Sequence, residues 1–176
     1  MTTSTIAVPT QDDYDAYYHQ YVSKAPADDF LLAYAAQPAM LQELLGHLPN
    51  GGDNRPHAAS AWTPKQIVGH LIDIERVFST RMLSIGVGDP ASIAGIDQDL
   101  YVAGLDYESV PMQSLLDEFA ALRSANVLLA GRMGPDAMAR RGMASGRPVS
   151  ALANLYILAG HVEFHAESIR QRHGRQ

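Results

Sequence analysis

Two histidines stand four residues apart in Gly160-His-Val-Glu-Phe-His165, and a third, His70, lies in Val68-Gly-His-Leu-Ile-Asp73. Four residues is about one helical turn, so on a helix His161 and His165 share a face. Two imidazoles from one helix and one from another can fill three positions around a divalent ion and leave the fourth open. That is the layout of a reactive metal site, since structural zinc normally takes four protein ligands. The 176-residue chain has no cysteine, which excludes disulfides, iron–sulfur clusters and thiolate zinc. Histidine and carboxylate are left as the strong ligands, and three imidazoles accept zinc, nickel, copper or iron.

The helical wheel sets His161 and His165 on the flank of the apolar stripe Leu158, Val162 and Ile169, and sets His70 beside Ile74 and Val77. A buried imidazole pair without partners is costly, and a metal satisfies both rings at once. A protease site of the His-Glu-x-x-His type is excluded, because Val162 follows the first histidine. Glu163 lies about 200° round the helix, from the 100° step per residue. Arg81 falls three turns beyond His70 in nearly the same column, where it could hold an anionic substrate group or pair with an aspartate of Asp97-Gln-Asp99. That triplet can equally be turn chemistry. Asp73 either orients a ligand histidine or covers the helix flank. Trp62 reads as a hydrophobic staple ahead of Thr63, with a pocket wall as the alternative. His19, His47, His57 and His173 read as solvated or cap residues.

The elements that must position these groups are helices. Asp28 and Asp29 can cap one running to about Leu48, with Leu31, Leu32, Leu41, Leu44, Leu45 and Leu48 inward and Pro38 kinking or splitting it. Pro49-Asn-Gly-Gly-Asp-Asn-Arg-Pro56 is a loop. Thr63-Pro-Lys-Gln66 makes a capping box with proline at the first helical position. Ile67, Leu71, Ile74, Phe78, Met82 and Ile85 then share a face up to an end near Gly86 or Gly88. Residues 89–110 form a connection long enough to carry the chain across a bundle, and to contribute to function. A third helix spans about Pro111 to Met133, with Leu115, Leu116, Phe119, Leu122, Leu129 and Met133 inward. A fourth spans about Ser150 to Arg172 and buries Leu155, Leu158, Val162 and Ile169. Tyr14 to Tyr21 makes a short helix or a packed lead-in, and no strand pattern stands out.

Apolar residues make up 47 % and charged residues 18 % of the chain, the composition of a folded protein large enough for one sizeable core. We expect a loose segment over 1–12 and a single domain over 13–176. The net charge of −6 and the absence of a basic cluster, except at the extreme C-terminus, argue against nucleic acid or anionic membrane as partners. No apolar run approaches the roughly 20 residues that span a bilayer, and Met1 to Thr10 has no leader pattern, so a cytoplasmic protein is expected.

Trp62-Thr-Pro-Lys-Gln-Ile-Val-Gly-His70 through Arg81, Gly95-Ile-Asp-Gln-Asp-Leu-Tyr101 and Ala159-Gly-His-Val-Glu-Phe-His165 together resemble the DinB superfamily over about residues 14–173. The resemblance implies an all-α four-helix bundle in up-down-down-up order, with a long crossover between the second and third helices. It implies a divalent metal, zinc or nickel, on His70, His161 and His165, and a homodimer. It also implies a small-molecule substrate, with Arg81, Asp73, Asp97 and Tyr101 as candidate contacts and no identified catalytic base. Relatives include thiol-dependent S-transferases, an isomerase and hydrolases. The leading expectation is therefore a metalloenzyme that activates a low-molecular-weight thiol for S-transfer to a small electrophile. The alternatives are a metal-dependent hydrolase of a small ester or amide, and a non-catalytic metal- or ligand-binding stress protein.

Overall fold

A computed structural model describes residues 6–46 and 62–173. The expected loop at 49–56, Leu48, His47 and His57 lie outside the described residues, as does the side chain of His173. The elements run α1 (His19–Val22), α2 (Phe30–Leu45), α3 (Pro64–Val87), α4 (Gln98–Gly104), α5 (Met112–Arg132), α6 (Pro135–Ala139), β1 (Arg141–Ala144), β2 (Arg147–Ser150) and α7 (Ala151–His173). Within the segment expected to be loose, Gln11–Asp13 forms a 3-10 turn capped reciprocally by Thr10 and Asp13.

Helices α2, α3, α5 and α7 form the bundle, and side-chain pairs give their directions. Gln42 meets Gln113 while Gln37 meets Arg123, so α2 and α5 are antiparallel. Arg76 meets Glu118 while Gly86 faces Met133, so α3 and α5 run parallel. His70 meets His161 near the start of α3, and Ile85 near its end faces Gly142, just ahead of α7, so those two are antiparallel. Phe30 stacks on Tyr156 and Gln37 reaches Ala159, which makes α2 and α7 parallel. The order is up-down-down-up. Parallel α3 and α5 oblige the chain to return the length of a 24-residue helix, about 36 Å at 1.5 Å per residue. Residues 88–111 make that return, and the connection carries the short helix α4.

Local chemistry explains the ends. Thr63 Oγ1 accepts from Gln66 N and Gln66 Oε1 accepts from Thr63 N, the predicted capping box. At the other end of α3, Gly88 adopts φ 80°, Asp89 N donates to Ser84 O and Gly88 N donates to Ile85 O, a Schellman ending. Ser150 caps α7 by accepting from Ala153 N.

Three expectations need correction. Pro38 does not split α2. Its missing N–H frees the carbonyl of Tyr34, and Arg123 Nη1 donates to that carbonyl at 3.2 Å. The buried stripe of α2 is Phe30, Tyr34, Gln37, Leu41 and Leu45, whereas Leu32 is exposed and Leu31 and Leu44 are only partly covered. And a β-hairpin precedes α7, with Arg141 opposite Ser150 and Ala144 opposite Arg147. Its two-residue turn has Ser145 at φ 55° and Gly146 at φ 71°, both left-handed, which matches the twist of a tight hairpin.

Candidate metal centre

The three sequence-selected histidines meet inside the bundle. His161 Nε2 lies 3.2 Å from His70 Nε2 and 3.1 Å from His165 Nε2, and all three residues are buried. Hydrogen bonding cannot account for this convergence. A neutral ring nitrogen carries either one proton or one in-plane lone pair, so His161 Nε2 can make only one good bond to its two neighbours. A cation facing all three lone pairs satisfies them together. Bonds of about 2.0–2.1 Å to a tetrahedral ion would hold ligand nitrogens about 3.3–3.4 Å apart, close to the two separations measured from His161, and the three ligand atoms all lie within 4.8 Å of one another. The three could therefore hold one divalent ion.

Electrostatics keep the rings ready as ligands. Burial, reinforced by His165, pushes the pKa of His70 down to about 3. Burial likewise holds His161 well below the usual histidine range, with His165 and His70 adding to the effect. Neutral imidazole is the ligating form. His161 Nδ1 has no hydrogen-bond partner, a departure from the usual support of a ligand histidine. Its ring is held instead by packing, with Tyr21 edge-on at 5.1 Å between centroids. That approach depends on Gly160: a Cβ there would come within 1.8 Å of the Tyr21 carbonyl oxygen. Trp62 closes the other side, 4.7 Å from the His70 ring and 6.5 Å from that of His165. It shares an apolar cluster with Ile67, four positions into the helix it precedes, which fits the staple, and it is not among the residues lining the cavity beside His161.

A cavity of about 360 Å³ opens from His161 toward the hairpin. Its apolar walls include Tyr17, Tyr18, Tyr21 and Phe78, and Arg81, Gln98, Ser145 and Arg147 supply polar groups. No aspartate or glutamate among the described residues lines it.

The other candidate residues separate. Arg81 reaches the cavity. Asp97 does not: it caps α4, accepting from Asp99 N at 3.0 Å and Leu100 N at 3.2 Å, which is the turn reading of that triplet. Tyr101 is exposed and outside the cavity lining. Asp73 accepts from Tyr107 Oη at 2.5 Å, so it anchors the crossover instead of a ligand ring. Its pKa is raised by burial, against the lowering effect of the Tyr107 bond. Glu163 turns toward α2, where Gln37 Nε2 donates to it at 2.8 Å. The sequence reading missed Tyr21, Ser145 and Arg147. Their signals were the aromatic spacing of Tyr14 to Tyr21 and the turn dipeptide Ser145-Gly146.

Among solved structures the chain is similar to YfiT from Bacillus subtilis, described as a probable metal-dependent hydrolase with an unusual four-helix bundle topology. The TM-score is 0.71 at 15 % identity, covering 87 % of this chain and 93 % of that one. A mycothiol-dependent maleylpyruvate isomerase gives a TM-score of 0.63 at 15 % identity, covering 84 % of this chain and 62 % of the other. At such identity the likeness is one of fold. No curated protein sequence matches significantly. The DinB superfamily profile matches residues 33–169, well over half the sequence, and the chain belongs to the DinB superfamily.

Proposed function

We propose that this protein is a metal-dependent enzyme in which His70, His161 and His165 hold one divalent ion, zinc or nickel, and a low-molecular-weight thiol is transferred to a small electrophile. The convergence of three buried Nε2 atoms beside a cavity carries the reading. Held by these residues, such an ion would lower the pKa of a thiol bound beside it. In the transfer the sulfur would bond to the electrophilic carbon, the leaving group would depart with its electron pair, and the thiol proton would pass to solvent.

The chain's own residues contribute position and exclusion. Trp62 and Tyr21 pack against the imidazoles and leave the cavity as the approach. The thiol is the first reading; with no carboxylate among the described residues lining the cavity, either nucleophile, thiol or water, would depend on the ion for its ionisation. The mycothiol dependence of one structural neighbour supports this choice. The description of YfiT favours the second reading, a hydrolase of a small ester or amide. A cytoplasmic homodimer is the proposed setting.

Metal content measured by mass spectrometry on untagged protein, wild type beside His161→Ala, is the first test. About one equivalent in wild type and a large loss in the variant are expected. Full retention in folded His161→Ala would remove the ligand assignment. With the metal established, thiol consumption against model electrophiles is expected to exceed ester hydrolysis, and the reverse order would select the hydrolase.

A further inference from the structure

Arg81 is 2 % exposed, yet no carboxylate among the described residues pairs with it. Its Nη2 donates to Ser145 Oγ at 2.8 Å and to Ala94 O at 3.3 Å. Its guanidinium carbon sits 4.5 Å from the centroid of the Phe78 ring, and its Nε has no acceptor. A buried cation compensated only by dipoles is costly, and such a charge is normally paired. The other arginine lining the cavity is already neutralised, with Arg147 Nη1 2.7 Å from Asp15 Oδ1. Ser145 supplies its acceptor from the hairpin turn, and Ser145 N donates to Ile93 O beside Ala94. Crossover and hairpin tip thus meet at this guanidinium.

We propose that the cavity takes a small carboxylate with an apolar body, whose carboxylate is bound by Arg81 and whose other end points toward His161. Arg81 and His161 line the same space, and the walls between them are apolar, with Phe78, Ile74 and the tyrosine rings. Eleven residues separate His70 from Arg81 on α3, about 16 Å along the axis, and helical side chains lean toward the N-terminus, so Arg81 leans toward the histidines. A planar fork suits a carboxylate. The inference rests on the proposed function for the role of the histidine end, but not for anion binding itself. The carboxylate can belong to the electrophile or to the thiol.

The test is calorimetric titration of benzoate, with benzamide as its neutral counterpart, into wild type, Arg81→Met and Arg81→Lys. Each protein is examined after chelator treatment and after zinc addition, with circular dichroism confirming the fold. Wild type is expected to bind benzoate at least tenfold tighter than benzamide with or without zinc. Arg81→Met is expected to lose that preference, and Arg81→Lys, which keeps the charge but not the fork, to retain part of it. Equal binding of benzoate and benzamide by wild type overturns the inference even if Arg81→Met fails to fold. Benzoate binding that needs zinc and survives Arg81→Met also overturns it, since the anion would then sit on the metal. Failure of the metal reading looks different: no zinc uptake, with benzoate binding intact. In the zinc form, displacement of benzoate by 3-mercaptopropanoate but not by 2-mercaptoethanol assigns the carboxylate to the thiol. Simultaneous binding of benzoate and either thiol assigns it to the electrophile.

Discussion

At the scale of single residues, buried polar groups carry most of the information, and their environments differ in ways that can be measured. Asp73 is covered, and burial raises its pKa while the Tyr107 hydroxyl works in the other direction. A carboxyl whose folded pKa is raised contributes stability that is full below its unfolded pKa, near 3.8, and that is lost as pH rises through the folded value. Asp73→Asn removes the titration and keeps an acceptor for Tyr107. Wild type is therefore expected to gain stability relative to Asp73→Asn as pH falls from 7 toward 4, read from urea midpoints across that range. A difference that stays flat would mean the carboxyl does not titrate abnormally. Trp62 offers a second residue-scale prediction. Truncating its ring leaves the His70 and His165 imidazoles open to water on one side. Trp62→Ala is expected to cost about 3–5 kcal/mol of stability and to weaken metal binding without abolishing it, as competition with a chromogenic chelator would show.

At the scale of elements, the site depends on how closely α1 approaches α7, and Gly160 sets that distance. A methyl group there collides with backbone, the Tyr21 carbonyl, which cannot swing away as a side-chain end could. Gly160→Ala gains about 1 kcal/mol of helix propensity and meets overpacking of about 1–3 kcal/mol. The expected net effect is a lower melting temperature, with Tyr21 displaced from His161. An unchanged melting temperature and metal affinity would show that α1 adapts freely. The four long helices were legible because caps and apolar spacing agreed, as in Thr63–Gln66 and the stripe from Ile67 to Ile85. The histidine triad was legible because its members repeat one flank position on two helices. The hairpin was not, since strands of four residues such as Arg-Gly-Met-Ala hold no alternation to read and Ser145-Gly146 was the only local sign. In α2 the inward Leu41 and Leu45 were legible, but its first half was misjudged because leucines were counted by identity. There the inward face is marked by Phe30, Tyr34 and Gln37, and Leu32 is left to solvent.

At the scale of the whole molecule, the apolar core falls into two clusters, one holding Ile67, Leu71, Phe119 and Val162, the other Phe78, Met82, Leu155 and Leu158. A polar network links all four bundle helices. Glu75 of α3 accepts from Arg123 Nη2 at 2.5 Å and from Asn126 Nδ2 at 2.7 Å, both on α5. Arg123 also donates to Gln37 of α2, and Gln37 passes its own amide hydrogens to Ala159 O and Glu163 on α7. The chain of bonds thus reaches the segment that presents His161 and His165, and it ties α7 to α2. Opposite charges on the inward faces of two predicted helices could have announced it: Glu75 lies between Leu71 and Phe78, and Arg123 lies between Phe119 and Asn126. Both members of the ion pair are about 1 % exposed, so removing one leaves the other charge buried alone. Glu75→Leu and Arg123→Met are each expected to cost about 3–5 kcal/mol. Glu75→Leu with Arg123→Met, which removes both charges, should be less destabilising than the sum of the single changes by well over 1 kcal/mol. Urea unfolding of chelator-treated protein measures this free of any metal contribution. Metal affinity of the double variant then separates two roles for the network. If the pair serves stability alone, the recovered fold binds metal as wild type does. If it sets the register of α7, the double variant is stable and yet binds metal weakly, and weak binding is the expected outcome.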